Sequence, residues 1–164
     1  MNVEYIRTLY AYSEWANNRI LDTAAHLTHE EFVADVGASF PSVRDTLVHT
    51  LSAQRYWLSQ FRRQEPTSRL VGADFADVAA IHALWREIDE QTQAFLDGLD
   101  NAALEEIIST TDRAGNVYAY KLWQIMTHQA NHATQHRSEV AVMLTQFGHS
   151  PGDLDYLDYI DLLL

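Results

Sequence analysis

The sequence has 164 residues, 47% of them hydrophobic, with 3 prolines and no cysteine. This length suits one well-buried domain over residues 1–164, and the lack of cysteine excludes a disulfide framework, a thiolate metal site and a cysteine nucleophile. With 11 Lys+Arg against 23 Asp+Glu, a formal charge of −12 and no basic block beyond Arg62 and Arg63, the chain lacks the surface that direct nucleic-acid binding needs.

The opening segment Met1–Arg7 has no apolar signal core, and no later run reaches the roughly 20 apolar residues of a membrane span. The expectation is a soluble cytoplasmic protein without a membrane partner. Val3, Ile6, Leu9, Tyr10, Ser13, Ala16, Asn17, Ile20, Leu21 and Ala24 recur at three- and four-residue steps, which predicts a first helix over residues 2 to about 26. Tyr5, Tyr12 and Trp15 on it read as interhelical packing residues. Thr28 followed by Glu31 is a capping-box pattern for a short helical turn.

Gly37 to Pro41 breaks the periodicity, and Pro41 or Ser42 opens a second helix running to about Arg63. Val43, Leu47, Leu51, Leu58 and Phe61 share one face of it. His49 projects roughly opposite that face at about 100° per residue, beside Asp45, Ser52, Ala53 and Tyr56. Either this helix is buried on two sides, with the His49 face on a pocket or subunit contact, or His49 is a surface residue.

A turn-rich connection from Glu65 to Gly72 precedes a third helix over about 74 to 98, marked by Phe75, Val78, Ile81, Trp85, Ile88, Phe95 and Leu99. His82 on it reads as an ordinary interhelical or surface residue. Leu104 to Tyr118 carries β-branched, alternating residues around Ala114, Gly115 and Asn116, the pattern of a small hairpin or an extended crossover. Such a connection makes the bundle topology other than simple up-down-up-down.

The fourth helix, about 119 to 147, holds a histidine at every fourth residue: His128, His132 and His136. Side chains at i and i+4 stand one above the other about 5–6 Å apart, so two imidazoles converge on one ion without distorting the backbone. With His132 at zero and about 100° per residue, Ile125 and Met143 fall near +20°, His136 near +40°, Leu122 and Val140 near +80°, and His128 near −40°. The pair His132 and His136 is therefore the choice for metal ligands, with His128 supporting them or acting as an alternate ligand. A lone histidine on an apolar face is commonly a hydrogen-bonded core residue, so this helix alone leaves metal binding open until a third ligand is found. Gly148 to Gly152 stops the helix, and Asp153 to Leu164 ends the chain as a short acidic, apolar helix.

A ferritin-like di-iron centre needs Glu-x-x-His, and none of the eight histidines has a glutamate three residues before it. His26 and Glu30 have a hemerythrin-like spacing but straddle a helix end. The fold class predicted is all-α: a four-helix bundle with a long crossover connection and a short C-terminal helix.

The segment Tyr12-x-x-Trp15-Ala16-Asn17, the run Ser42 to His49 with Tyr56-Trp57 after it, His128-x-x-Asn131-His132-x-x-x-His136-Arg137, and the tail Gly148 to Asp155 together resemble the DinB/YfiT-like family of metalloenzymes, over nearly the whole chain. The resemblance implies a four-helix bundle, commonly a homodimer, in which His49, His132 and His136 bind a divalent metal ion, Zn²⁺ or Ni²⁺. A three-histidine shell leaves coordination positions open for water or substrate. The activity it implies is metal-dependent activation of a low-molecular-weight thiol or of water, as in an S-transferase or a hydrolase acting on a small-molecule substrate. The alternative is a non-catalytic metal-binding or structural dimer in a stress response. Family members usually follow His-Arg with Gly-Gln, whereas here Ser138 and Glu139 follow Arg137. Glu139, near −20° by the same rough count, can accept a hydrogen bond from a ligand imidazole or approach the ion, or remain a solvated carboxylate. Arg137 points away from the histidine ladder, as for a structural ion pair.

Overall fold

The computed structural model describes residues 1–111 and 114–164. Among the described residues there are six α-helices: α1 Val3–Ala24, α2 His29–Val33, α3 Val43–Phe61, α4 Val78–Asp97, α5 Leu122–Gln146 and α6 Tyr156–Asp161. A two-stranded antiparallel hairpin, β1 Ile107–Thr111 and β2 Val117–Lys121, lies between α4 and α5, with Ile107 opposite Lys121 and Thr111 opposite Val117. Asp112 and Arg113, which the expected hairpin includes, lie outside the described residues.

Three of the bundle helices, α1, α3 and α4, start where a side chain satisfies an otherwise unpaired N–H group. The Asn2 carbonyl oxygen accepts from Tyr5 N at 2.9 Å, and the Asp77 carboxylate accepts from Ala80 N at 2.9 Å. Ser42 Oγ accepts from Asp45 N at 3.1 Å while donating to the Asp45 carboxylate at 2.6 Å. The capping box at Thr28 and Glu31 forms as the sequence predicts, and it opens α2. Two boundaries differ from the sequence reading. The third long helix begins at Val78 rather than near 74, because Gly72–Asp74 forms a separate 3-10 turn and Asp77 is the cap. The fourth begins at Leu122 rather than 119, because Tyr118 to Lys121 pair with β1 as a strand. It ends at Gly148, which takes a φ of +84° and lets His149 N reach Leu144 O at 2.8 Å.

α5 packs against both α1 and α3, and α4 packs against the same two helices. Consecutive long helices therefore stand at diagonal corners twice. The step from α1 to α3, carrying α2, crosses the bundle just as the hairpin-bearing step from α4 to α5 does, so the expected crossover has a counterpart earlier in the chain. The core between the four helices is built from Ile6, Ile20, Leu51, Ile81, Trp85, Met126 and Leu144, each nearly inaccessible to water. At about 25 cal/mol per Å² of apolar surface, such burial is the main term opposing chain entropy.

Polar residues fix how the helices are rotated against one another. Trp85 Nε1 donates to Gln54 Oε1 at 3.0 Å, and Gln54 Nε2 donates to Asp89 Oδ1 at 2.7 Å, which ties α4 to α3. The tail folds back on α1: Tyr12 Oη donates to Leu154 O at 2.8 Å, Arg19 donates to Pro151 O at 3.0 Å, and Tyr12 meets Tyr156 edge-on at 5.2 Å. Among the described residues no helix is long and apolar enough to cross a membrane.

Candidate metal centre

α3 and α5 cross with His49 of one facing His132 and His136 of the other. The Leu47, Leu51 and Leu58 face of α3 enters the core, and the opposite face, with His49, is half-buried and borders a cavity. That resolves the two alternatives left by the sequence in favour of a pocket. His49 Nε2 lies 3.2 Å from His132 Nε2, and one ring nitrogen from each of His49, His132 and His136 falls within 4.8 Å of the others. The rings meet at steep angles, His49 on His136 at 82° and His132 on His136 at 68°. Nitrogen lone pairs converging from three tilted imidazoles are the donor set of a nitrogen-ligated divalent ion, so this group is able to hold one.

Protonation states support the same use. Burial pushes the imidazolium of His49 down to about 4, reinforced by the neighbouring His136 and His132 and by Arg69. His132 is likewise pushed down to about 4, first by burial and then by His136 and His128. Both rings are therefore neutral at pH 7, the form that coordinates.

Glu139 completes the inner layer. It is not a free solvated carboxylate, for its Oε2 lies 2.9 Å from His136 Nδ1 and accepts the Ser39 hydroxyl proton at 2.6 Å. With Nδ1–H donating to the carboxylate, the His136 Nε2 lone pair is left for a ligand, the usual carboxylate–histidine arrangement beside metals. Despite net burial, the hydrogen bonds from Ser39 and His136 hold Glu139 below the ordinary carboxylate range. The bond goes to His136, one turn along the helix from the His132 side on which the sequence count put it.

His128 stands outside the group. Its ring centroid is 6.1 Å from that of His132, and its ring meets Trp57 edge-on at 5.3 Å. Arg137, adjacent to His136, is buried and points to α1, where the sequence reading expects an ion pair. The structure gives it neutral partners instead: Asn17 Oδ1 at 3.1 Å, Thr134 Oγ1 at 2.7 Å and the face of Tyr12 at 5.3 Å. Of four further residues around the site, the sequence reading noted Trp57 within the family motif and assigned no role to Ser39, Phe40 or Arg69. Phe40 stacks on His49 at 4.0 Å and Ser39 binds Glu139, both from the loop that sequence reading marked only as a break. Trp57 and Arg69 line cavities beside the group. Ser39 and Glu139 are 100 residues apart, a separation no local pattern encodes.

Two cavities open beside the histidines and share Tyr56 and Trp57 as a wall. One, of about 640 Å³, is lined by Phe40, His49, Ser52, Ala53, Thr67 and Arg69. The other, of about 580 Å³, lies under the hairpin between Thr110, Tyr118, Tyr120 and His128. The hairpin is attached there by Tyr56 Oη, 3.1 Å from Thr110 Oγ1.

Comparison with known proteins agrees with this architecture. The chain is 23% identical over 159 residues to "Protein DinB" of Bacillus subtilis (strain 168), covering 93% of this chain and 91% of that protein. A DinB-like protein from Bacillus cereus superimposes with a TM-score of 0.74 at 16% identity, covering 93% of this chain and 97% of that one. A conserved protein from Enterococcus faecalis superimposes with a TM-score of 0.65 at 13% identity, over 84% and 94% of the two chains. The sequence profile of the DinB family matches residues 1–162. With that profile spanning the bundle from the first residue of the chain to the end of α6, the protein belongs to the DinB family.

Proposed function

We propose that His49, His132 and His136 bind one divalent cation, Zn²⁺ or Ni²⁺, and that the protein is a metal-dependent enzyme transferring a low-molecular-weight thiol to a small electrophile. The observation that carries the reading is the 3.2 Å approach of His49 Nε2 and His132 Nε2 from two different helices, beside an open cavity that His49 lines. Two neutral imidazoles brought this close from two helices, with a ring nitrogen of His136 beside them, are most simply ligands.

A bound divalent ion lowers the pKa of a coordinated thiol or water, supplying a nucleophile at neutral pH. The protein's own groups do the rest. Glu139 holds the His136 proton on Nδ1, and Ser39 holds Glu139. Phe40 covers one face of His49 and restricts water on that side. The cavity bounded by Tyr56 and Trp57 orients an apolar substrate body beside the histidines. Each of these keeps a reacting group in place rather than taking part in bond making.

The test has two stages. Elemental mass spectrometry on tag-free protein is expected to give one divalent ion per chain, lost in His49→Ala and in His132→Ala. Thiol conjugation to a panel of electrophiles by the metal-loaded protein is then expected to exceed that of His136→Ala. Conjugation no faster than in that variant overturns the reaction class, and absence of metal after addition of Zn²⁺ or Ni²⁺ overturns the site. The homodimer implied by the resemblance is tested by sedimentation velocity, where a monomer removes it.

A further inference from the structure

Among the described residues lining the cavity that His49 borders, Arg69 carries the one formal charge. The lining comprises Phe40, Tyr56, Trp57, Thr67 and Arg69 together with small residues of α3, with no carboxylate among the described residues.

Arg69 is held in position from its own segment. Leu70 N, the next backbone amide, donates to Ser52 Oγ at 3.0 Å, and Ser52 is a buried residue of α3 one turn from His49. Two residues further on, Gly72 presses against α3 so closely that a Cβ there would lie 1.9 Å from Asp45 Oδ1. The connection is thus clamped to α3 on the C-terminal side of Arg69, an exposed residue of the cavity wall near enough to His49 to act on its charge. The other walls are aromatic: Phe40 lies against His49, and Tyr56 and Trp57 meet edge to face at 5.2 Å.

We propose that this cavity takes a small organic anion with a flat apolar body, its carboxylate or equivalent acid paired with the Arg69 guanidinium and its body against Phe40, Tyr56 and Trp57. The guanidinium fork matches a carboxylate in two parallel hydrogen bonds, which a neutral ligand cannot offer. The chain's negative net charge does not oppose this at contact range, because at physiological salt charges beyond about 8 Å are largely screened. This names the substrate class for the reaction proposed above and rests on that reading only for the purpose of the cavity, since binding at Arg69 does not require the metal.

The experiment compares 2-naphthoate with its neutral analogue 2-naphthalenemethanol by calorimetric titration of the full-length protein, with Zn²⁺ and after its removal by chelation. In both forms naphthoate is expected to bind at least tenfold more tightly than the alcohol. Arg69→Gln is expected to abolish that preference, Arg69→Lys to restore part of it, and Ala53→Leu, which fills the cavity, to weaken both ligands alike. Equal affinity for the two ligands, no binding of either, or a preference that survives Arg69→Gln overturns the proposal. A preference seen only with Zn²⁺ and indifferent to Arg69 also overturns it, while leaving the metal reading intact. An Arg69-dependent preference in a protein that takes up no metal supports the anion site and removes the metal reading alone.

Discussion

Arg137 and Asn17 tie α5, which carries His132 and His136, to α1: Arg137 Nη1 donates to Asn17 Oδ1 at 3.1 Å. Arg137 directly follows His136, and successive residues on a helix point about 100° apart. Holding Arg137 on α1 therefore turns His136 toward α3 and His49.

Replacing Asn17 by Ala leaves a buried guanidinium without one of its acceptors, a loss of about 1–3 kcal/mol. For a chain of this length that is a fall in Tm of about 2–4 °C per kcal/mol. Thermal unfolding by circular dichroism checks this, and an unchanged Tm would show that water replaces the lost acceptor.

Glu139→Gln is expected to weaken metal binding about 10- to 100-fold while leaving the fold intact, since it removes the charge that holds the His136 proton on Nδ1. Competition titration with a chromogenic chelator measures it. Affinity equal to that of the native protein would make Glu139 a loop anchor for Ser39 and nothing more.

Acid should destabilise the metal-free protein through His49 and His132. Both are held at about 4 in the folded state against an unfolded value near 6.5, so between those limits the unfolded chain binds more protons. Stability falls as pH drops from about 6.5 to about 4. His132→Gln should flatten that slope in Tm against pH, and an unaltered slope would mean the ring titrates normally in the native state.

Asp89 has the opposite sign. Burial raises its carboxyl to about 7, offset in part by the hydrogen bond from Gln54 and reinforced by Glu14. Between about 4 and 7 the folded state holds the extra proton, so stability falls as pH rises through that window. Asp89→Asn keeps the acceptor for Gln54 Nε2 and loses the titration. Its Tm is expected to exceed the native one by several degrees at pH 8 and to match it at pH 4; equal Tm at both would place the carboxylate in contact with water.

The helices were legible because each is an independent periodic signal, and the caps Thr28 and Ser42 are local in sequence and structure, whereas the Asp77 cap went unread and the third long helix was placed from about 74. The spacing of His132 and His136 was legible for the same reason, since four residues of one helix fix two side chains on one side. The hairpin was visible as alternation but not its extent, because Tyr118 to Lys121 have residues that suit either a strand or a helix start, and pairing with β1 decides. No periodicity could say whether His49 faced water or a pocket, whether Phe40 and Ser39 fold over the histidines, or that Arg69 shares a cavity with His49. Sequence by itself determined the elements and the donor residues available, because propensity, capping and i,i+4 geometry act within a few residues. Only the tertiary structure decided that His49 meets the ladder, that Glu139 serves His136, and that Arg137 takes neutral partners, because those contacts depend on which diagonal corners the two crossing connections assign to each helix.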